Sequence, residues 1–414
     1  MDSGDTAFLL VSAALVFIMT PGLGFFYGGL GRRKNVINNI MASAFIMGLG
    51  IVMWVVLGYS LAFSGNTFGI IGSLDNLFLN KTGLEDPSSY APTVPSLAFV
   101  AFQMMFALIT PAIITGAVAG RMKFKALFLF IAFWSLLVYY PLAHMVWGDG
   151  GILGASGLGS VDFAGGNVVH ISSGVSGLVL CLLIGRRSGY ENTAYRMHNV
   201  PFVALGMALL WFGWFGFNAG SALAADSLAA HAFMTTALAT AAGLLSWLAI
   251  DVLARRKPSL ISVCTGVVAG LVAITPGAGF VPVWASLIIG ATAGPVCYLG
   301  ITIIKKKLKI DDALDAFGCH GLGGIYGGLM TGVFADPSVN SAATEGLVFG
   351  GGRQFGAQAV SIVVSILVAA VGTIVCAGLV KAFTQLRVSK RDELVGLDLS
   401  QHGEHAYPSF NGLD

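Results

Sequence analysis

What this sequence has least of is charge. Its 414 residues include only 22 Lys and Arg and 20 Asp and Glu, 10% of the chain, where a soluble domain carries about 25%. Beside a hydrophobic share of 56% and a mean hydropathy of +0.82, that deficit excludes an ordinary soluble protein. A formal net charge of +2 gives no footing for a nucleic-acid partner. Cysteine is scarce too. Cys181, Cys264, Cys297, Cys319 and Cys376 all sit in apolar runs without CxxC or other metal spacing, so they read as small hydrophobes. There is no HExxH, no Walker A loop and no GxSxG in a strand–turn–helix setting, so no catalytic constellation and no cofactor is expected. "DDALDAFG" (311–318) opens like a metal loop but lacks EF-hand spacing and enters a helix. The N-terminus, "MDSGDTAFLLVSAALVF", has Asp2 and Asp5 but no basic region ahead of its apolar run. That favours a true membrane span over a cleaved signal.

What the sequence has in abundance is apolar length and glycine. Membrane crossing takes about 20 mostly apolar residues, and eleven stretches qualify: roughly 6–30, 38–64, 95–119, 126–147, 167–185, 200–222, 229–252, 259–276, 280–304, 314–335 and 356–384. The fold class expected is therefore an all-α polytopic membrane protein of eleven transmembrane helices. It forms one transmembrane domain over residues 1–385 and a tail over 386–414. The 56 glycines, roughly twice the average share, let helices approach closely and leave cavities between them.

The connections alternate in charge. "GRRKN" (31–35), "GRMKFK" (120–125), "GRRSGYENTAYRMH" (185–198), "ARRKP" (254–258), "KKKLK" (305–309) and the tail from Lys381 hold all the Lys and Arg except Lys81 and Arg353. Positive charge marks the cytoplasmic side, so the N-terminus is expected outside and the C-terminus in the cytoplasm. Two pairs of segments also echo one another. "PGLGFFYGG" (21–29) resembles "WFGWFGFNAG" (211–220), and "DFAGGNVVHISSGVSG" (162–177) resembles "DAFGCHGLGGIYGG" (315–328). Five spans separate each pair, so matched spans run in opposite directions. This is an inverted 5+5 repeat, about 6–185 and 200–335, plus one extra C-terminal helix (356–384), and such repeats place the functional site between the halves near the midplane.

No Lys, Arg, Asp or Glu lies mid-span; Asp162, Asp251 and Asp315 are near span ends. A bare cation would cross this middle without a counter-charge, and a charge at a bilayer centre costs about 2.5–3.5 kcal/mol on the insertion scale. Whatever crosses is expected to be neutral there, or relayed as a proton. His170 and His320 occupy matching positions in the two halves. Each alone reads as a helix-capping histidine; together they form a pair in which one imidazole donates and the other accepts. His144 and His231 are expected to make structural hydrogen bonds near the outer surface.

Trp147 fits either a membrane-interface belt or a cation–π platform. Phe102 and Phe106 lie at i, i+4 beside Gln103, Ala107 and Thr110, and Phe217 precedes Asn218, Gly220 and Ser221. These rings fit a packed core or a narrow lumen equally well. Asp162 suits an N-cap, where a carboxylate meets the helix dipole favourably.

The motifs "PGLGFFYGGLGRRKN", "AFQMMFALITPA", "PLAHMVWG", "DFAGGNVVHISSG", "WFGWFGFNAGSA", "DDALDAFGCHGLGGIYGGLMTGVFA" and "DELVGLDLSQHGEHAY", in this order, resemble the ammonium transporter (Amt/Rh) family, Amt branch, over essentially the whole chain. The resemblance implies a twin-histidine pore at His170 and His320. It implies an outer ammonium site of Trp147, Phe106, Ser221 and Phe102, a gate of Phe106 and Phe217, and Asp162 as buried acidic support. It further implies a homotrimer in the inner membrane, in contact with lipid and with a PII-type signal protein at the cytoplasmic face. One departure, Gly120 in "GAVAGRMKF" where many members carry an acidic residue, bears on the cytoplasmic contacts after span three. The function expected is selective transport of ammonium. The alternatives are a channel or symporter for another small amine or cation, and a membrane ammonium sensor.

Overall fold

The computed structural model describes residues 1–190, 197–255 and 257–407. Within the basic connections and tail, residues 191–196, Arg256 and 408–414 lie outside the described residues. The described chain is helical, with isolated bridges and no strand. Its long elements are α1 (Ser3–Leu30), α2 (Arg33–Phe63), α3 (Ser96–Ala117), α4 (Phe124–Trp147), α5 (Gly166–Ile184), α6 (Val200–Ala222), α7 (Ser227–Ala254), α8 (Leu260–Ile274), α9 (Val283–Lys307), α10 (Phe317–Gly321 running into Leu322–Phe334) and α11 (Arg353–Lys381). Among the described residues, nine of these are long and apolar enough to cross a membrane; α8 is a shorter apolar helix, and α10 is not among the nine. The protein is a multi-pass membrane protein.

The helices reverse the polarity of a soluble bundle. On α11, Val360, Val363, Leu367, Val371 and Ile374 are exposed, while Gln354, Gln358, Ser361, Ser365 and Thr373 are buried. In lipid the apolar face needs no cover and the polar face finds its partners inside. Gln358 Nε2 donates to the Val161 carbonyl at 2.9 Å, and Asn167 Nδ2 donates to Ser361 Oγ at 2.9 Å. Glycine sets the closest approach of α1 and α6: a Cβ on Gly206 would lie 2.4 Å from the Phe26 nitrogen.

One end of the bundle gathers the basic connections and the tail. Lys34 Nζ donates to the carbonyls of Glu393 and Leu394, and the Leu397 N–H donates to Asn35 Oδ1 at 2.9 Å. Arg187 Nε donates to Asp311 at 3.0 and 2.8 Å, and buried Arg121 donates to the Asp311 carbonyl at 2.5 Å. The short helix α12 (Lys390–Val395) starts at Ser389 with a capping box closed by Asp392, and its Glu393 accepts from Ser188 and Arg387. The departure at Gly120 falls in this cluster. Its φ is +78°, and a Cβ there would sit 2.6 Å from Asn35 Nδ2, the side chain that holds Leu397. Glycine is what the turn requires. The other end carries the long loops: Asp2 donates to Thr93, Phe163 to Pro276 and Asp336 to Phe280 through backbone N–H groups.

Candidate functional site

At the loop end, α4 stops at Trp147, where Gly148 takes extended geometry. The Trp147 indole N–H donates to the Asp162 carbonyl at 2.8 Å, which fixes the plane of the ring. Around it lies a pocket of about 140 Å³ whose walls include Trp147, Phe106, Ser221, Gln103, Tyr90 and Leu223. Phe106, from α3, stands edge-on to Trp147 with centroids 5.9 Å apart. Its other side stacks on Phe217 of α6, 4.2 Å away with 24° between the planes.

Phe217 lines a second space, with Leu23, Ile113, Trp214, His170 and His320 among its walls. The stacked phenyl rings thus stand between the pocket and an inner lumen. That lumen offers only about 10 Å³ of room for water, close to the minimum that one water molecule needs. No lining residue there is a carboxylate, lysine or arginine.

The two histidines meet across this lumen, Nδ1 to Nδ1 at 3.2 Å with ring centroids 5.3 Å apart. His170 also stacks on Trp214 at 5.4 Å and 18°, and the Trp214 indole N–H donates to Thr275 Oγ1 at 2.8 Å. His170 Nε2 is buried with no protein partner. Each histidine lies in a single π-helical turn, Gly166–Ile171 or Phe317–Gly321, a geometry that recurs at functional sites. The helices touch just beyond the rings: a Cβ on Gly174 would lie 2.2 Å from the Gly321 nitrogen. The small residues after each histidine therefore make room for the other helix.

An aspartate anchors each turn. Asp162 accepts from the N–H groups of Gly165, Gly166 and Asn167 at 2.8, 2.6 and 2.7 Å. Asp312 accepts from Ala316 and Phe317 at 3.0 and 2.8 Å. Both precede their histidine by eight positions. The echo read from sequence set Asp162 against Asp315; the residue that does the same job is Asp312. Asp315 instead sits at φ +61° and pairs with Lys305 at 2.6 Å.

Of the predicted outer-site residues, Trp147, Phe106 and Ser221 line the pocket. Phe102 does not: it is fully buried, edge-on to Phe106 at 5.0 Å. Sequence reasoning passed over Tyr90 and Trp214, and took Gln103 only as a polar neighbour of Phe102 and Phe106. Gln103 and Trp214 each lie three positions before a predicted phenylalanine, and that spacing was the available signal. Tyr90 comes from a loop, where periodicity says nothing. His144 and His231 have structural partners: Nδ1 of His144 is 3.0 Å from the Ala62 carbonyl, and Nε2 of His231 is 2.9 Å from that of Val281. Among the described residues no group of three His, Cys, Asp or Glu is arranged to hold a metal.

Residues 7–407 match the profile of the Ammonium Transporter Family. An ammonium transporter of Bacillus subtilis is 48% identical over 98% of this chain and 99% of its own length. Ammonium transporter Amt1 of Archaeoglobus fulgidus is 43% identical over 98% of this chain and 100% of its own. Among solved structures, Saccharomyces cerevisiae Mep2 superposes with a TM-score of 0.87 at 36% identity, covering 94% of this chain and 88% of its own. A protein described as a sensor Amt protein gives 0.86 at 29% identity over 96% of this chain and 98% of its own. With the aromatic pocket, the stacked phenyl rings and the histidine pair already in view, these likenesses agree: the chain belongs to the ammonium transporter family.

Proposed function

We propose that this protein carries ammonium across the membrane by recruiting NH4+ at the aromatic pocket, removing a proton, and passing NH3 along the histidine-lined lumen. The observation that carries the reading is the Phe106–Phe217 stack, 4.2 Å between centroids, between a pocket suited to a cation and a lumen without charge. Trp147 and Phe106 offer ring faces that attract a small cation. Phe102 backs Phe106 from the core, and Ser221 offers a hydroxyl oxygen. Past the stack the uncharged walls disfavour an ion, while ammonia is neutral and small. K+ and Na+ have no proton to give up, which supplies the selectivity. The proton travels separately, through the histidine pair or along transient water, or returns outside.

The same reading takes all eleven helices α1–α11 as crossings. α1–α5 and α6–α10 form an inverted repeat, and α11 lies outside it. Support comes from the matched Asp162–His170 and Asp312–His320 units and from the single end that collects the basic connections. By the positive-inside rule that end is cytoplasmic, with the N-terminus outside, in the inner membrane of a bacterial or archaeal cell. A homotrimer with one lumen per chain, and a PII-type partner docking on α12 and its neighbours, complete the proposal.

The test is solid-supported-membrane current on ammonium jumps, with K+ jumps as control, in the parent and in His170 and His320 variants. An ammonium-specific current carried by the parent and lost in the variants is the outcome expected. Binding without flux would instead favour a sensor, a reading to which the likeness to the sensor Amt protein lends support.

A further inference from the structure

Two polar groups in the pocket wall, those of Tyr90 and Trp147, are committed. Tyr90 Oη donates to the Phe63 carbonyl at 3.2 Å and accepts from the Asp149 N–H at 3.0 Å. The Trp147 indole N–H is spent on Asp162. Ser221 Oγ donates to the Phe217 carbonyl at 2.9 Å, which leaves its lone pairs free to accept. Gln103 is nine-tenths buried, lines the pocket, and its Oε1 has no protein partner. Buried side-chain acceptors are nearly always paired, and an unpaired one calls for an explanation. Its place in α3 supplies one. Three positions before Phe106, it shares that ring's face of the helix.

We propose that the amide oxygen of Gln103 is the second hydrogen-bond acceptor of the ammonium site, acting with the Ser221 hydroxyl. This deepens the reading above and rests on its assignment of the pocket as the recruitment site. Ammonium presents four N–H donors at tetrahedral angles. Two are met by the faces of Trp147 and Phe106, and two by the oxygens of Ser221 and Gln103. Methylammonium has one donor fewer, so its methyl group either meets a ring or leaves an oxygen unpaired. An alkali ion has no N–H to direct, and two oxygens replace little of its hydration.

The experiment is transport kinetics for ammonium and methylammonium, with K+ as competitor, in full-length Gln103→Met and Gln103→Glu beside Ser221→Ala and Trp147→Leu. Gln103→Met keeps the length of the side chain and removes the acceptor. It is expected to raise the apparent KM for ammonium about tenfold, with little change in maximal rate, as for loss of uniform binding. Its discrimination against methylammonium should shrink. Gln103→Glu restores an acceptor and adds charge; KM is expected to return to the parent value or below, and K+ to become an inhibitor. An unchanged KM in Gln103→Met, while Ser221→Ala or Trp147→Leu raises it, overturns the role of Gln103 and leaves the pocket assignment standing. Unchanged KM in all three overturns the pocket assignment and this inference with it. If Gln103→Met fails to reach the membrane, Gln103→Glu decides alone, and indifference to K+ overturns the proposal.

Discussion

The Nδ1 atoms of His170 and His320 lie 3.2 Å apart, so one ring must hold the proton between them and the other must accept it. Two bare nitrogens would repel, and two protonated ones would repel more. When His170 is the acceptor, its own hydrogen sits on Nε2, the buried atom without a protein partner. Reversing the tautomers takes three linked moves: the shared proton crosses to His170 Nδ1, the hydrogen on His170 Nε2 leaves, and His320 Nε2 takes one up. Replacing either histidine with alanine is therefore expected to abolish the ammonium-specific current in reconstituted membranes. A double variant that still passes full, K+-excluding current would remove the pair from the proton route.

The crossing of α5 and α10 should tolerate no added carbon. Because a Cβ on Gly174 would lie 2.2 Å from the nitrogen and 2.4 Å from the Cα of Gly321, Gly174→Ala must drive backbone away from backbone. Overpacking of this kind costs about 1–3 kcal/mol. A lowered melting temperature in detergent, together with lost transport, is the expected result. An unchanged melt would mean that the helices can part freely.

Asp162 is expected to matter first for order at the head of α5. Its carboxylate receives three close backbone N–H groups there, and Asp162→Ala would strand them inside the protein. A stranded buried donor costs about 1–3 kcal/mol. Asp162→Asn keeps one acceptor oxygen and should fall between alanine and the parent in thermal stability. Equal melting of Ala and Asn variants would show that the amide oxygen does not serve.

At the tail end, Asp311 is pushed up by burial, but the hydrogen bonds and charge of Arg187, joined by Arg121, hold its carboxyl below the usual range. A depressed carboxylate stabilises the fold above its unfolded value and loses that contribution as pH falls through the folded one. Asp311→Asn removes the carboxylate between the two guanidinium groups, and breaking a buried pair costs about 3–5 kcal/mol. The melting gap between parent and variant should be wide at neutral pH and close in acid. A gap as wide in acid as at neutral pH would contradict this assignment.

The parts of the site that came through in the sequence are those written as contrast. A histidine in an apolar run stands out, and two at matched places stand out more, so His170 and His320 could be paired before any coordinates. The same holds for Lys and Arg confined to alternate connections. Phe106 and Phe217 were visible as rings beside small residues, but their stacking depends on two helices distant in sequence. Phe102, one turn from Phe106, looked like its equal because helical spacing cannot separate a ring in the wall from a ring behind it. Asp312 was hidden by its neighbour Asp315: the first two residues of "DDALDAFG" lie outside the helix, where periodicity carries no signal. Gln103 looked like an ordinary polar border residue until the hydrogen bonds of its neighbours had been assigned.

The inner lumen draws its walls from α1, α3, α5, α6 and α10 of a single chain, and both histidines belong to that chain. On the function proposed above, conduction is then a private property of each polypeptide, however many associate. In a membrane holding parent and inactive chains together, flux should fall in direct proportion to the inactive share. A defective lumen would behave as a recessive lesion, whereas a chain that poisons its neighbours would have to do so from outside the lumen.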